Sequence, residues 1–339
     1  MVLLLSAKKR FACFDASGTT TSKKSALKSL NSNSPSVYLL ILNYRMREQV
    51  RECVNSLAAV PYSNLTTVVI DNNSGDGIEQ MLAEEFPVVV FLQTGENSGY
   101  TGGNNFGIRH AINSGAKYVL VLNPDTVVVN PNFVAEMVSH LEANPRIGIA
   151  GPKVFYRELG NVQNTVLFAP GLWRNLTNWF AYRLNPESFH LSGDREVEAE
   201  VLNGVCLLMR TDCLKQIGLF DETIFMYIED ADLDYRARQH GWQVRYLPID
   251  SIIHKQKTSG YDMTSQVSFL LRRNSVYYLC KVGKRAEAAG YAALSLLLML
   301  TRGLVKFQLA DHLKFCRKLA ASYWEILLRR DECNDSKLS

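Results

Sequence analysis

Four short apolar runs, separated by segments of helical periodicity, constrain the fold of this chain more than any other feature. They span 37–42, 66–70, 88–92 and 118–122. Because strands buried on both faces are continuously apolar, runs that alternate with helices predict an α/β fold with a parallel sheet covered on both faces. The predicted helices end near Ala59 and Phe86 and then span 103–114 and 131–143.

The alternation weakens beyond the fourth predicted helix. Residues 155–200 have no clear period and form a long connection, which in a compact domain is usually functional. The apolar segment 201–209 predicts a buried strand or helix. Residues 284–309 predict a helix whose most apolar part, 288–300, ends at Arg302, short of a membrane span. We expect this helix to pack against protein, with a position on a lipid surface as the alternative.

Polar residues follow the predicted strands at the points where they end. They are Asn43, the segment 71–74, the loop 93–105 and the segment 123–125. Ligands of parallel sheets bind beyond the carboxyl ends of the strands, so these residues predict a binding edge. Turn formers are also favoured at such ends. Turn chemistry does not explain why Asp125 follows a proline after a fully apolar strand.

Two nucleotide-binding classes lack their signature here. The first predicted strand-to-helix turn, 42–46, contains no glycine. A dinucleotide fingerprint requires GxGxxG at that position, which argues against a dehydrogenase. The chain also lacks the GxxxxGKS/T pattern of P-loop proteins.

A glycine-rich loop at 96–107 is a second candidate binding feature. It contains four glycines with interleaved asparagines. Glycines let the backbone approach a ligand closely, and a helix start offers free amide donors. A flexible loop is the alternative, but the change to a helical pattern at Gly103 favours a shaped pocket.

An acidic cluster lies within the segment 220–236. Glu229, Asp230, Asp232 and Asp234 fall within six residues, after a hydrophobic approach. Carboxylates this close repel one another and resist burial, so one of them is a candidate general base whose pKa is raised by its neighbours. A solvated helix start is the alternative, because acidic residues favour the first helical turn.

Asp125 and His254 are the candidate metal ligands. Asp125 supplies an oxygen ligand on a short turn, and Mg²⁺ or Mn²⁺ typically uses one or two carboxylates together with substrate phosphates. His254 follows an apolar, strand-like stretch. A single histidine is more often structural, so both interpretations of His254 stay open.

The two ends of the chain are basic and its body is acidic. The net charge is +5 over 1–36, −8 over 37–271 and +9 over 272–330. Basic flanks favour an anionic surface, either nucleic acid or phospholipid headgroups, but the acidic body carries no nucleic-acid-binding motif. We predict a disordered N-terminal extension over 1–36, a catalytic domain over 37–271 and a basic, partly apolar helical region over 272–339. Seven scattered cysteines predict free thiols in a reducing compartment, hence a cytoplasmic protein.

Seven segments, in order, carry a resemblance to a known family. They are NY (43–44), VVIDNNS (68–74), NSGYTGGNNFGI (97–108), VLNPDT (121–126), NGVCLLMR (203–210), IGLFDETIFMYIEDADLDYR (217–236) and HK (254–255). Their order and spacing resemble the family 2 inverting glycosyltransferases of the GT-A type, in the bacterial rhamnosyltransferase-like branch. The resemblance covers about 37–274 and implies a GT-A, Rossmann-like sheet with a C-terminal helical extension.

The resemblance also implies roles for individual residues. Asp230 matches the catalytic Asp, with Glu229 beside it. Asp125 matches the metal-binding Asp of the DxD motif, whose first position is Asn123 here, and His254 matches a histidine that completes the metal site in some relatives; the implied ion is Mg²⁺ or Mn²⁺. The implied nucleotide-sugar-binding residues are Asn43, Asp71, Asn73, Gly99, Gly103, Asn104, Asn123 and Asp125.

The activity implied by the resemblance is transfer of a sugar from a nucleotide-diphosphate donor. We expect rhamnose or another deoxyhexose, with dTDP-rhamnose favoured, and a glycan or polyprenyl-linked saccharide as acceptor in cell-surface polysaccharide synthesis. Peripheral contact with the inner face of the cytoplasmic membrane would bring the enzyme to such an acceptor. One alternative is a non-catalytic sugar-nucleotide-binding scaffold. Another is a sugar nucleotidyltransferase, which would need a glycine-rich loop where 43–45 lies. No nucleic-acid partner is expected.

Overall fold

The computed structural model describes residues 34–174, 191–255, 266–305 and 309–328. Residues 1–33 of the predicted N-terminal extension (1–36) and the chain from residue 329 lie outside the described residues. The described strands are β1 (Val37–Asn43), β2 (Leu65–Asp71), β3 (Val90–Gln93), β4 (Tyr118–Leu122), β5 (Thr126–Val128), β6 (Ile147–Tyr156), β7 (Val166–Leu167), β8 (Val197–Glu198), β9 (Val201–Leu202), β10 (Cys206–Arg210) and β11 (Gln243–His254).

The helices alternate with these strands in the first half of the chain and follow them in the last part. They are α1 (Arg47–Leu57), α2 (Ile78–Glu85), α3 (Gly99–Asn113), α4 (Phe133–Ala143), α5 (Thr211–Ile217), α6 (Glu229–Gln239), α7 (Gln266–Lys281), α8 (Arg285–Val305) and α9 (Leu309–Leu328).

The four apolar runs of the sequence form four parallel strands. β2 and β4 flank β1, and β3 lies outside β2. The register pairs Asn43 with Asp71, and Asp71 with Gln93. The polar residues that end these strands therefore meet at one edge of the sheet, as the sequence predicts.

The remaining strands make the sheet mixed rather than wholly parallel. Its order is β3-β2-β1-β4-β10-β6-β11-β5, with β8 also on β11. β10 is antiparallel to both β4 and β6, whereas β11 runs parallel to β6. Because Cys206 pairs with Leu122, the chain enters β10 at the edge where β4 ends. The segment 203–205 therefore lies beside the end of β4.

Helices cover both faces of the sheet, as predicted. In β1, Leu39 and Ile41 belong to the core that α1 and α4 form on one face, while Leu40 belongs to the core under α3, α5 and α6 on the other. Each of these three residues is 0% exposed. A strand whose successive side chains are all buried needs a covering layer on both sides, which explains its continuous apolar sequence.

Helices α7, α8 and α9 form a third core. Met299, Leu319 and Tyr323 are buried in it. Tyr227 and Ile228, from the acidic segment, also pack against this core. α7 crosses the domain boundary that we place at residue 271, so those domain limits stay a prediction.

Helix α8 is longer than its apolar run alone suggests. It continues on both sides of that run over Arg285–Val305, and it is long and apolar enough to cross a membrane by length and composition. The prediction that this helix is too short to span a membrane is therefore wrong. Core helices of soluble proteins pass the same test, and 28% of its most apolar window is buried in the protein.

The five cysteines that the structure describes are buried free thiols. They are Cys53, Cys206, Cys213, Cys280 and Cys316. Free thiols agree with the expectation from their scattered spacing, while Cys13 and Cys333 lie outside the described residues. The reducing compartment itself stays a prediction.

Candidate active site

One cavity of about 700 Å³ lies at the carboxyl edge of the parallel strands. It brings together residues far apart in the chain. Of the predicted site residues, the cavity is lined by Gly99, Asn104, Asn123, Asp125, Glu229, Asp230 and His254. Asn43, Asp71, Asn73 and Gly103 are not among its lining residues.

Asn43 and Asp71 form a buried network that shapes the first two loops. Asn43 Nδ2 donates to Asp71 Oδ1 at 2.8 Å and to Ser74 Oγ at 2.9 Å. The second oxygen of Asp71 accepts hydrogen bonds from the Ser74 backbone and from Gln93 Nε2. Because both oxygens of Asp71 already have protein donors, this carboxylate fixes the loop geometry in the structure; its nucleoside-binding role stays a prediction.

Asn72, rather than the predicted Asn73, faces the cavity. Asn73 is exposed, with a left-handed φ of 59°. The Asn72 side chain is buried and donates to Asn97 Oδ1 at 3.0 Å and to the Gly99 carbonyl at 2.9 Å. Asn72 thereby ties the end of β2 to the glycine-rich loop. The resemblance implied a binding role for Asn73 and named none for Asn72; that role of Asn73 stays a prediction.

The glycine-rich loop enters helix α3 at Gly99, four residues before the predicted start at Gly103. Gly99 has φ of 75°, and a Cβ there would collide with the backbone and ring of Phe225. Gly103 packs against Leu42, and its Cβ would meet that side chain. These glycines therefore allow α3 to pack closely against its neighbours; the close approach of this backbone to a ligand stays a prediction.

Asn104 supplies a buried acceptor at the cavity wall. It is 0% exposed, and its Nδ2 donates to the Tyr100 carbonyl at 2.9 Å. Its Oδ1 has no hydrogen-bond partner among the described residues. A buried amide oxygen without a partner is costly, so a ligand hydroxyl or amide at this position would be stabilised.

The turn 123–125 and His254 meet because β5 pairs with β11. Thr126 is the register partner of His254, so Asp125 lies next to that histidine. His254 Nε2 lies 3.3 Å from Asp125 Oδ1, and His254 Nδ1 lies 2.9 Å from Gln163 Oε1. No group of three or more His, Cys, Asp and Glu side chains suited to a metal occurs in the part of the chain that the structure describes. Gln163, from the long connection, was missed by the sequence analysis.

Glu229 and Asp230 follow a strained turn. Tyr227 and Ile228 have φ values of 71° and 75°, which residues other than glycine rarely adopt. A β-branched residue in this region is a genuine outlier, and such strain concentrates at functional sites. The turn places both carboxyls in the first turn of α6, at the cavity.

The surroundings of the two carboxyls favour their protonated forms. Burial raises the pKa of Glu229 to about 8, and the charge of Asp230 adds to this rise. Asp230 keeps some contact with solvent, yet desolvation by the surrounding protein raises its pKa to about 6, against the lowering effect of backbone donors from Ala231 and Gly204. Two neighbouring carboxyls with raised pKa values at a cavity are typical of acid–base sites.

The other two acids of the cluster do not line the cavity. Asp232 pairs with Arg236 at 2.9 Å and with Lys281 at 2.7 Å. Asp234 accepts a hydrogen bond from the Leu202 backbone at 2.7 Å. The sequence predicts that one of these four acids is the general base. Asp232 and Asp234 lie three and four residues after Glu229 and Asp230 on the same helix faces, but one turn deeper along α6, and of the four only Glu229 and Asp230 line the cavity.

Three comparisons connect this geometry to known proteins. A family model described as "Glycosyltransferase like family 2" matches residues 35–274. The low-salt glycan biosynthesis hexosyltransferase Agl10 of Haloferax volcanii is 25% identical over 263 residues, covering 77% of this chain and 81% of its own. The N-acetylglucosaminyl-diphospho-decaprenol L-rhamnosyltransferase of Mycobacterium tuberculosis is 28% identical over 246 residues, covering 68% of this chain and 80% of its own.

Solved structures with the same fold are more distant in sequence. The crystal structure of GalNAc-T7 with UDP, GalNAc and Mn²⁺ has a TM-score of 0.56 at 16% identity. The match covers 74% of this chain and 48% of that one, so this chain spans about half of that protein. This likeness concerns the fold alone.

Proposed function

Because the chain belongs to glycosyltransferase family 2, we propose that it transfers a sugar from a nucleotide-diphosphate donor to an acceptor hydroxyl with inversion at the anomeric carbon. The family and the α/β fold with C-terminal helices, both predicted from the sequence, are confirmed. One observation carries the proposal: a single cavity collects the 123–125 turn, His254 and the Glu229–Asp230 pair.

Asp230 is the proposed general base. It removes the proton from the acceptor hydroxyl while that oxygen bonds to the anomeric carbon and the bond to the diphosphate breaks. The diphosphate leaves with the bonding electron pair, and a single displacement inverts the anomeric centre. A pKa of about 6 leaves Asp230 mostly ionised at neutral pH while keeping it basic enough to accept the proton.

Glu229 has a different role in this proposal. Burial and the charge of Asp230 raise its pKa, so at neutral pH it holds a proton more readily than an ordinary glutamate. Its neutral form adds no second charge beside Asp230, which would otherwise favour protonation of the base. A protonated carboxyl also has a hydrogen to donate to a substrate oxygen. A proton on Glu229 would leave Asp230 as the charged base.

The donor set of Asp125 and His254 fits a divalent cation. Because the Gln163 amide oxygen can only accept, His254 Nδ1 carries the proton of that hydrogen bond. Nε2 therefore presents a lone pair to the Asp125 carboxylate 3.3 Å away. A cation or a proton between them would satisfy both. Mg²⁺ or Mn²⁺ held there, with donor phosphates completing its coordination, would supply Lewis-acid stabilisation of the leaving diphosphate.

The proposed donor is dTDP-rhamnose and the proposed acceptor is a polyprenyl-linked saccharide. This choice is supported by the name of the mycobacterial relative, which is an L-rhamnosyltransferase of a decaprenol-linked sugar. The Haloferax relative is named a hexosyltransferase of glycan biosynthesis, which agrees with the broader sugar class. Both names fit a role in cell-surface polysaccharide synthesis.

The C-terminal helices suit a peripheral position on the cytoplasmic face of a membrane. Segment 272–330 carries a net charge of +9. Basic residues beside apolar side chains favour anionic lipid headgroups, where a polyprenyl-linked acceptor would reside. The exposed large apolar side chains of α8 and α9 are Leu297, Leu298, Leu304, Val305, Leu309, Leu313, Trp324 and Leu328.

Donor hydrolysis by the purified protein tests the activity. A panel of dTDP-, UDP- and GDP-sugars is incubated with Mg²⁺, with Mn²⁺ or with EDTA, and the released nucleotide is measured. We expect slow, metal-dependent release from dTDP-rhamnose, accelerated by a polyprenyl-diphosphate saccharide in anionic vesicles. Binding of a nucleotide sugar without turnover, even with that acceptor, would instead support the scaffold alternative. Release of pyrophosphate from a sugar phosphate and a nucleoside triphosphate would support a nucleotidyltransferase.

A further inference from the structure

Helix α7 holds the acidic segment through side chains that point at its backbone. Asn274 Nδ2 donates to the Met226 carbonyl at 2.9 Å and to the Tyr227 carbonyl at 3.1 Å. Arg273 Nη1 donates to the Thr223 carbonyl at 3.2 Å. Two consecutive residues of α7 thus contact three carbonyls of the loop that leads into α6.

The amide of Asn274 is fixed in this orientation. The residue is 0% exposed, so its polar groups have no solvent as an alternative partner. Its Oδ1 accepts a hydrogen bond from Arg273 Nη1 at 2.7 Å, which directs the NH₂ group toward the loop. Both hydrogens of that group are then used by the Met226 and Tyr227 carbonyls. A buried donor that fills both of its positions restrains its acceptors strongly.

The restrained carbonyls belong to the strained turn. Tyr227 and Ile228 both have left-handed φ values, and they directly precede Glu229 and Asp230. Such a conformation persists only where surrounding contacts over-determine it. The acceptors of Asn274 include the carbonyl of Tyr227, which belongs to the peptide unit between the two strained residues.

We propose that Asn274 is a positioning residue of the active site: its amide fixes the left-handed turn that presents Glu229 and Asp230 to the cavity. The inference rests on the proposed function. It means that α7, which begins in the predicted catalytic region and ends in the C-terminal helices, completes the site rather than merely following it. Leu271, one turn earlier on α7, lines the same cavity.

A matched pair of variants tests this role. Asn274→Ala removes both hydrogen bonds to the turn. Ser275→Ala is the control, because Ser275 is its buried neighbour and its hydroxyl bonds only within α7, to the Leu271 carbonyl. We expect Asn274→Ala to lower kcat about 100-fold, since small misplacement of reacting groups has costs of this size. Nucleotide Kd and donor KM should stay within about twofold, because Asp71 and Asn72 are held by Asn43, Gln93 and the glycine-rich loop rather than by Asn274. Ser275→Ala should retain wild-type kcat.

A second measurement keeps the test independent of substrate identity. Hydrogen exchange of the backbone amides of 226–232 should be faster in Asn274→Ala than in Ser275→Ala and wild type, with the amides of β1 and β4 unchanged. If the wild-type protein turned over no donor, the proposed function would be wrong. The exchange rates would still show whether Asn274 holds the turn in place.

Two results would overturn the positioning role. The first is wild-type kcat in a folded Asn274→Ala variant. The second is equal exchange in 226–232 for both variants. If Asn274→Ala does not fold, Asn274→Ser is the alternative variant, because serine retains one hydrogen-bond donor. We expect this variant to have an intermediate kcat at unchanged KM. A folded Asn274→Ser variant with wild-type kcat would also reject the positioning role.

Discussion

His254 Nε2 lies 3.3 Å from Asp125 Oδ1, and the opposite ring nitrogen of His254 lies 2.9 Å from Gln163 Oε1. The three side chains form a chain from the long connection, through the end of β11, to the turn after β4. His254 is 4% exposed, so its ring is held by these partners rather than by solvent. A hydrogen-bond partner that fixes the tautomer of a metal-binding histidine also affects how strongly that histidine binds the metal.

Gln163→Ala should therefore weaken metal binding without removing a proposed ligand. We expect Mn²⁺ affinity, titrated by electron paramagnetic resonance in the presence of nucleotide, to fall about 10-fold or more. Gln80→Ala is the control, since Gln80 is an exposed glutamine of α2 that pairs with Glu84. Equal Mn²⁺ affinity in the two variants would show that Gln163 does not orient His254 for a metal.

Asp230→Asn should greatly slow turnover while leaving the donor site intact. Loss of a general base costs about 10²–10⁴ in rate. We expect kcat for sugar transfer to fall within that range, with nucleotide affinity by calorimetry within about twofold of wild type. Asp212→Asn, at the exposed first turn of α5, serves as the charge-matched control. A folded Asp230→Asn variant with wild-type kcat would assign the base elsewhere.

Local periodicity predicts the strands and their polar ends, because burial on both faces leaves a continuous apolar signal. It does not predict which polar side chain turns toward the ligand edge. Asn43 is buried and bonds Asp71 instead of lining the cavity. Asn73 is directed outward by its left-handed backbone, while Asn72 faces the cavity. Such choices depend on loop conformation, which a one-dimensional pattern does not encode.

Two side chains that contact the site from distant parts of the chain are not among the predicted site residues. Gln163 meets His254 across 91 positions of sequence, and Asn274 meets Met226 across 48. Gln163 lies in a stretch without periodicity. Asn274 follows two arginines, a pattern typical of a basic helix face or of a diphosphate contact. Their roles arise from sheet pairing and helix packing, which only the folded chain defines.

Glu229 should make stability fall as pH rises. Its pKa is raised from 4.5 to about 8 by burial, so the folded state keeps a proton that the unfolded state loses. The folded state then binds more protons between these values, and the free energy of unfolding decreases from about pH 4.5 toward pH 8. Glu229→Gln mimics the protonated form and should remove this decrease.

Thermal unfolding between pH 5 and pH 8 measures this effect. We expect the Tm of Glu229→Gln to match wild type near pH 5 and to exceed it by about 2 °C or more near pH 8. The exposed Glu84→Gln variant should parallel wild type throughout. A Tm difference that is the same at both pH values would contradict the raised pKa.

Lys281 should contribute strongly to stability. Its Nζ lies 2.6 Å from Asp221 Oδ2 and 2.7 Å from Asp232 Oδ1. Burial alone raises the pKa of Asp221, but the hydrogen bond and charge of Lys281 outweigh it and lower that pKa to about 2. Lys281→Met leaves these acids without their shared cation, and removing one partner of a buried pair costs about 3–5 kcal/mol.

Urea unfolding tests the Lys281 prediction against a surface pair. Lys117 pairs with Glu142 where both side chains are substantially exposed, so Lys117→Met should cost less than about 1 kcal/mol. Adding Asp221→Asn to Lys281→Met should recover part of the loss, because it removes the uncompensated charge. Equal costs for the two lysines would mean that the buried network adds no stability.

Alanine substitutions at Gly99 and Gly95 distinguish the cost of backbone strain from the cost of a steric clash in the glycine-rich loop. Both have left-handed φ values, 75° and 84°. A Cβ at Gly95 meets nothing within 4 Å, whereas a Cβ at Gly99 collides with Phe225. Gly95→Ala should therefore cost only about 1 kcal/mol from its φ, with sugar-nucleotide binding retained. Gly99→Ala must also push away Phe225, whose carbonyl accepts the Tyr100 N–H at 2.8 Å and so joins α3 to the segment that carries Asp230.

We expect Gly99→Ala to lose donor affinity and turnover together, because it displaces the cavity wall on two sides at once. Calorimetry with nucleotide and urea unfolding of both variants provide the comparison. If Gly99→Ala behaved like Gly95→Ala in both measurements, the close approach of α3 to Phe225 would have no part in shaping the cavity. A loss of affinity confined to Gly99→Ala would assign the glycine to the contact itself, since the two substitutions share their backbone strain and differ only in what the new methyl group meets.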